Sequence, residues 1–164
     1  MEQVFIALGS NLHHPLRQVE TAIEQLKAVP DTNLQNQSPW YRSRAVGPGS
    51  QPDYVNGVAL LNTRLPPEEL LAYLHQIEAK QGRERRQRWA ARTIDLDILL
   101  YGNRIVATDR LQIPHPRLHQ RNFVLYPLAD LAPRLVLPDG RQLTALLRTC
   151  HRDDLKRLQP GDLD

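Results

Sequence analysis

The sequence predicts an α+β fold, a ferredoxin-like split βαβ sandwich with a mostly antiparallel sheet and helices packed on it. Two observations indicate this class. Strand and helix patterns follow one another as strand, helix, strand, strand, helix, strand, and a helical region comes after them. The chain has 164 residues, of which 41% are apolar, enough for one domain with a buried core.

The first four predicted elements lie before residue 63. Residues 4–8 are continuously apolar and predict a buried strand. Pro15 can occupy the first turn of a helix that runs to about residue 28, with Leu16, Val19, Ile23 and Leu26 on one stripe. Residues 34–41 predict a weak strand, and residues 54–62 a stronger one after a loop rich in Gly, Pro and Ser.

The second half begins with a helix whose first turn holds two prolines and two acids, and which stops before Gly82. Its predicted apolar face consists of Leu70, Leu71, Leu74 and Ile77. Residues 93–101 then predict a strand closed by a Gly102-Asn103 turn. Two helical regions are predicted at residues 122–131 and 143–147. We expect residues 1–150 to form the single domain and residues 151–164 to be a polar, loosely held C-terminal tail.

The positive charge of the chain is concentrated in one stretch. Residues 83–92 hold five Arg and one Glu, a net charge of +4, whereas the whole chain carries +3. The remainder is therefore −1, from +3 less +4. Such a patch indicates an anionic ligand, although a solvated charge run or an RNA-binding patch would have the same composition.

Asp95 and Asp97 alternate with apolar residues in the strand that follows this patch. Side chains alternate between the faces of a strand, so the two carboxylates share one face, about 7 Å apart along the chain. Ile94, Leu96 and Ile98 should then face the core. Paired carboxylates can hold Mg²⁺ against substrate phosphates, which predicts a phosphoryl-transfer site, while a solvated strand face remains the alternative for the motif alone.

Several absences and candidates narrow the chemistry. The sequence contains neither a P-loop motif nor a G-x-G-x-x-G motif that opens a helix, so side chains and metal must hold the phosphates. His115, between two prolines, can donate to a phosphate or serve a structural role. An acceptor ring could lie against Tyr54, Asn56, Trp89 and Phe123, which would otherwise be core residues. Cys150 has no partner for an internal disulfide, and nothing around it indicates a nucleophile.

Taken together, these motifs resemble the 6-hydroxymethyl-7,8-dihydropterin pyrophosphokinase family. The resemblance extends from Ala7-Leu8-Gly9-Ser10-Asn11-Leu12 to about residue 148. Its most specific part is Arg88-Trp89-Ala90-Ala91-Arg92-Thr93-Ile94-Asp95-Leu96-Asp97-Ile98-Leu99. Supporting motifs are Gln51-Pro52-Asp53-Tyr54-Val55-Asn56, Glu78 with Gln81-Gly82-Arg83, Pro114-His115-Pro116, and residues 121–128. Ala90-Ala91 stands where the family often has Gly-Pro.

The resemblance implies transfer of pyrophosphate from ATP to the hydroxymethyl group of the pterin, with release of AMP, in folate biosynthesis. It implies two Mg²⁺ ions on Asp95 and Asp97, which count as catalytic residues together with Arg83 and Arg92. The residues it implies for ATP are Glu78, Arg85, Arg88, Trp89, Arg92, Ile98, Arg110, His115 and Arg121. Those it implies for the pterin are Ser43, Val46, Tyr54, Asn56, Trp89 and Phe123.

Two other functions would suit parts of this pattern. An RNA-recognition domain has the same fold type, but it would display aromatic residues where this chain has two carboxylates. An inactive family relative that serves as a partner protein would not need intact Asp95, Asp97, Arg92 and Phe123. We therefore expect a cytoplasmic monomeric enzyme that acts on small molecules and binds neither nucleic acid nor membrane.

Overall fold

The computed structural model describes residues 1–44, 53–82 and 93–159. Within these ranges the strands and helices, in chain order, are β1 (Glu2–Ser10), α1 (Pro15–Lys27), β2 (Thr32–Gln37), β3 (Tyr41–Ser43), β4 (Tyr54–Thr63), α2 (Pro67–Lys80), β5 (Asp95–Tyr101), β6 (Val106–Ala107), β7 (Gln112–Ile113), α3 (Asn122–Leu131), α4 (Leu143–Thr149) and β8 (Lys156–Arg157). A single 3₁₀ turn, Leu118–Gln120, precedes α3 among the described residues. None of the described helices is long and apolar enough to cross a membrane.

The main sheet has the strand order β5-β1-β4-β3-β8, and β2 also pairs with β4. Every strand pairing described in this sheet is antiparallel. The order places β1 and β4 at the centre, with β5 on one side and the split pair β2 and β3 on the other. This arrangement confirms the predicted α+β class with a mostly antiparallel sheet.

The two faces of the sheet carry separate apolar clusters. The first cluster joins Ile6, Leu61 and Leu96 to α1 and α2, through residues such as Leu26 and Leu74. The second cluster joins the opposite face to α3 and α4, with Phe5, Val58, Leu99, Leu125 and Leu143 among its members. Both predicted amphipathic helices bury most of the expected stripes: Val19, Ile23 and Leu26 in α1, and Leu70, Leu74 and Ile77 in α2. Leu16 and Leu71, which also belong to these stripes, are only partly buried.

The predicted strand over residues 34–41 is two strands in the structure. Pro39 has no backbone N–H to donate to a ladder, so it marks a break between β2 and β3. Ser38 bridges this break, because its N–H donates to the Val58 carbonyl at 2.8 Å. Its Oγ accepts the Val58 N–H at 2.9 Å. The β6–β7 hairpin was not predicted, since each of its strands has only two residues.

The predicted loosely held tail is wrong for residues 151–159. Lys156–Arg157 forms β8 and pairs with Tyr41 and Arg42 of β3. Leu155 is only 3% exposed. The polar sequence of this segment did not predict a strand. β8 has just two residues, and its pairing partner β3 lies more than 100 residues earlier in the chain.

Candidate functional site

The face of the sheet that packs against α3 opens into a cavity of about 280 Å³, which we call the central cavity. Sheet and helix side chains line it together, and those predicted from sequence are Ser43, Tyr54, Asn56, Asp95, Asp97, Arg121 and Phe123. Tyr54 and Asn56 come from β4, whereas Phe123 comes from the first turn of α3. The structure thus brings four of the predicted pterin-binding residues to one cavity with both predicted metal ligands.

Asp95 and Asp97 occupy alternate positions at the start of β5, and both are partly exposed in this cavity. Leu96 and Ile98, between and after them, are buried in the opposite apolar cluster. The prediction that the carboxylates share a face is therefore confirmed. The alternation ends just beyond, where the register of β1 against β5 shifts and both Leu99 and Leu100 face the second cluster.

A second cavity, of about 290 Å³, lies beside the outer edge of β5, away from β1, and we call it the edge cavity. Four of the predicted ATP-binding residues line it: Glu78, Ile98, Arg110 and His115. Asp97 lines both this cavity and the central cavity. Asp97 consequently lies where the candidate site for the nucleotide meets the candidate site for the acceptor ring.

Asn56 is held in a fixed orientation by its neighbours. It is 4% exposed, and its Nδ2 donates to the Ser43 Oγ at 2.7 Å. Gly9, on β1, lies between two of these residues. It pairs with Asn56 of β4 on one side and with Asp95 of β5 on the other. Gly9 lines the central cavity and was not singled out from the sequence as a site residue, although a glycine inside a strand commonly marks a close approach.

Glu78 connects α2 to the strand that carries the carboxylates. Its side chain is 3% exposed, and its Oε2 accepts the backbone N–H of Leu96 at 3.0 Å. This bond satisfies a donor on the open edge of β5 between the two aspartates. Glu78, which the resemblance implies for ATP, therefore also fixes the strand that presents the predicted metal ligands.

The backbone of His115 is attached to the same edge of β5, because its backbone N–H donates to the Leu99 carbonyl at 3.0 Å. Burial lowers the pKa of His115, and Arg121 and Arg117 lower it further, while Asp97 raises it in part. Its Nδ1 accepts the Arg117 N–H at 3.1 Å, so the proton of the neutral ring sits on Nε2. His115 can thus act as a neutral hydrogen-bond donor from Nε2.

Arg121 differs from the other described residues predicted for ATP, because it lines the central cavity rather than the edge cavity. Its guanidinium lies 5.6 Å from the centroid of the Phe123 ring.

Burial raises the pKa of the Cys150 thiol, and the nearby Asp153 raises it too, which favours the unreactive thiol form. Arg83, Arg85, Arg88, Trp89, Arg92 and Val46 were predicted to be site residues and lie outside the described residues.

The chain is similar in sequence to one family of enzymes. Residues 5–133 match the family model of 7,8-dihydro-6-hydroxymethylpterin-pyrophosphokinase. A Pseudomonas aeruginosa 2-amino-4-hydroxy-6-hydroxymethyldihydropteridine pyrophosphokinase is 50% identical over 98% of this chain and 99% of its own length. A protein of the same name from Haemophilus influenzae is 45% identical over 98% of this chain and 100% of its own length.

A solved structure shows the fold independently. The crystal structure of wild-type Plasmodium falciparum HPPK-DHPS with SDX-DHP matches 96% of this chain with a TM-score of 0.72 at 12% identity. This chain spans about half of that one, 47% of its length. With a family model over most of its length and close relatives over nearly all of it, the chain belongs to the 7,8-dihydro-6-hydroxymethylpterin-pyrophosphokinase family, whose members transfer pyrophosphate in folate biosynthesis.

Proposed function

We propose that this chain transfers the terminal pyrophosphate of ATP to the hydroxymethyl group of 6-hydroxymethyl-7,8-dihydropterin and releases AMP. The observation that carries the proposal is that Asp97 lines both cavities, so that ligands of the two sites meet at its carboxylate. The pterin occupies the central cavity and the nucleotide the edge cavity. Family membership supplies the class of reaction.

The pterin ring lies against the aromatic faces of Tyr54 and Phe123, one from the sheet and one from α3. Asn56, oriented by Ser43, reads the polar edge of the ring through its side-chain amide. Asn56 is nearly fully buried, which makes this contact selective, because an analogue without the matching polar group leaves a buried amide unpaired.

The donor set at Asp95 and Asp97 suits magnesium. Both groups are oxygen ligands, which Mg²⁺ prefers, and both are partly exposed in the central cavity. Among residues 1–44, 53–82 and 93–159, no group of three or more His, Cys, Asp and Glu is placed to hold a metal. The proposed ions would share the two carboxylates and take their other ligands from phosphates and water. When bound, they would neutralise charge on the transferred group.

In the proposed reaction, the pterin hydroxyl oxygen attacks the β-phosphorus of ATP. The bond from that phosphorus to the oxygen bridging the α-phosphate breaks, AMP leaves, and the hydroxyl proton passes to water. His115 donates from Nε2 to a phosphate oxygen, and Arg110, from the same cavity, offers a guanidinium. We also assign a catalytic role to Arg83 and Arg92, in the stretch that follows α2. Their positive charges would stabilise negative charge on the transferred group.

The test is a product analysis with Mg-ATP and 6-hydroxymethyl-7,8-dihydropterin, followed by ³¹P NMR and mass spectrometry. The expected products are AMP and the pterin diphosphate in equal amounts, formed only with both substrates and a divalent cation. Formation of ADP and a pterin monophosphate would contradict transfer of pyrophosphate. A parallel titration with RNA, with and without Mg²⁺, tests the alternative of an RNA-binding domain, which requires RNA binding without ATP turnover.

A further inference from the structure

The segment that follows α4 holds together two elements that build the central cavity. We define residues 151–158 as the C-terminal strap. We propose that the strap is a positioning element, which sets the spacing between β3 and the first turn of α3 and thereby fixes the slot between Tyr54 and Phe123. The inference rests on the proposed function in one respect, that the ligand of this slot is a pterin.

The strap is attached to α3 through Asn122. The Nδ2 of Asn122 donates to the carbonyl oxygens of His151 and Arg152, at 3.2 Å and 3.0 Å. Both hydrogens of this amide are therefore used by the strap. Asn122 stands between Arg121 and Phe123, and both of these neighbours line the central cavity. Its attachment to the strap thus restrains the turn of backbone that aims Phe123.

The other end of the strap is attached to β3. Lys156 and Arg157 pair with Arg42 and Tyr41 as an added strand. The Leu158 N–H donates to the Trp40 carbonyl at 2.8 Å. β3 ends at Ser43, whose Oγ accepts the hydrogen bond from Asn56. The strap therefore also restrains the strand that orients the residue proposed to read the pterin edge.

One side-chain network links the two attachments directly. The Arg157 Nη2 donates to Asp130 Oδ1 of α3 at 2.8 Å and to the Tyr41 hydroxyl oxygen at 3.2 Å. The Tyr41 hydroxyl in turn donates to Asp130 Oδ2. Tyr41 is 1% exposed, so this network is anchored in the core. It joins β3, α3 and β8 at a single point.

Between its two attachments, the strap buries Leu155 and places the Arg152 guanidinium near two aromatic rings. The Arg152 guanidinium lies 5.9 Å from the Tyr41 ring centroid and 5.7 Å from that of Tyr126 on α3. These distances are within the range of cation–π attraction. Asp153, Asp154 and Leu155 line a third cavity, of about 630 Å³, together with Ser43 and Phe123. Ser43 and Phe123 therefore line a cavity shared with the strap as well as the central cavity.

The experiment compares Asn122→Ala, Asn122→Asp and Arg157→Ala with the full-length wild type. Both Asn122 variants lose the two donated hydrogen bonds, and only Asn122→Asp adds a charge, so agreement between them identifies the bonds as the cause. Arg157→Ala acts from the opposite end of the strap and provides an independent variant. Arg141→Ala is the matched control, because Arg141 pairs with Asp139 in a turn outside the strap.

The KM for the pterin and the KM for ATP are measured together with the melting temperature. We expect the pterin KM to rise about 5- to 30-fold in the Asn122 variants, and by less in Arg157→Ala, as loss of one or two hydrogen bonds predicts. The ATP KM should stay within about twofold, which is below the effect of one lost hydrogen bond. The Arg141→Ala control should leave both values unchanged.

A strap that only stabilised the fold would give a different result. The melting temperature would then fall while the pterin KM stayed at the wild-type value in all three variants, which would overturn the inference. An equal rise of both KM values would also overturn it, because among the described residues the strap lines a cavity with Ser43 and Phe123 and none of its residues lines the edge cavity. Failure of the wild type itself to bind the pterin would instead refute the proposed function, and this inference with it.

Discussion

Gly9 lies directly opposite Asn56 in the β1–β4 ladder, and a Cβ on Gly9 would come within 3.1 Å of the Asn56 Oδ1. Asp95 is the partner of Gly9 on its other side. The missing side chain therefore leaves room on the floor of the central cavity between an amide and a predicted metal ligand. A chain with any other residue here would have to move the Asn56 side chain.

Gly9→Ala should weaken pterin binding for this reason. Overpacking of a tight site costs about 1–3 kcal/mol, so a rise of about tenfold in the pterin KM is expected. The ATP KM should not change, because Gly9 does not line the edge cavity. Steady-state kinetics with each substrate varied in turn would measure both values. An unchanged pterin KM would show that the Asn56 side chain can yield at no cost.

Ser43→Ala removes the acceptor that orients Asn56. The expected effect is about 1 kcal/mol, a rise of about fivefold in the pterin KM, with kcat less affected. Ser38→Ala is a matched control, because Ser38 is also buried and also accepts a hydrogen bond from β4, at Val58. That control should lower the melting temperature and leave the pterin KM alone. Equal effects of the two variants on the pterin KM would argue against an orienting role for Ser43.

Asp97→Ala should lower the rate of AMP formation by at least about 10²- to 10³-fold. Such a loss is expected when a group that stabilises charge in the transition state is removed. The fold should remain stable, since Asp97 is partly exposed and the change removes repulsion from Asp95. AMP release and thermal unfolding measure the two properties. Asp139→Ala, on an exposed turn, should leave AMP release intact. Retained turnover in Asp97→Ala would refute the metal-binding role.

Glu78→Ala should destabilise the protein, because it leaves the Leu96 N–H without its carboxylate partner in a buried setting. The free energy of unfolding should fall by about 1–3 kcal/mol, and Glu78→Gln, which keeps an acceptor oxygen, should lose less. Urea denaturation would measure this. Glu69→Ala, on the first turn of the same helix, is the control and should change stability little. If all three variants were equally stable, Glu78 would have no role in holding β5.

His115 should titrate below its ordinary pKa of 6.5 in the metal-free protein, since burial and two arginines favour the neutral ring. A lowered pKa means that the unfolded chain binds the proton more tightly than the folded one. The contribution of His115 to stability is therefore complete above pH 6.5 and is lost as the pH falls through the lowered pKa. Imidazole NMR would measure the titration directly, and a midpoint at or above 6.5 would contradict it.

Local pattern was enough to predict much of this fold. The apolar stripes of α1 and α2 and the alternation at the start of β5 each depend on the period of one element. The structure bears them out at Leu26, Leu74 and Leu96. The sequence predicts one strand over residues 34–41, whereas the structure has two. The pairing of Ser38 with Val58 of β4, which keeps the chain beside the sheet at Pro39, depends on another strand and is not visible in the local pattern. β8 was missed because two polar residues carry no period.

By itself, the sequence determined that Asp95 and Asp97 share a face, because side-chain alternation is a property of the extended backbone alone. Its motifs also predicted which residues bind the phosphates and the ring, and that assignment stays a prediction. Only the tertiary structure decided that Asp97 borders two cavities, that Gly9 faces Asn56, and that the C-terminal strap joins β3 to α3. Those relations depend on strand register and helix packing between distant parts of the chain, which no local pattern encodes.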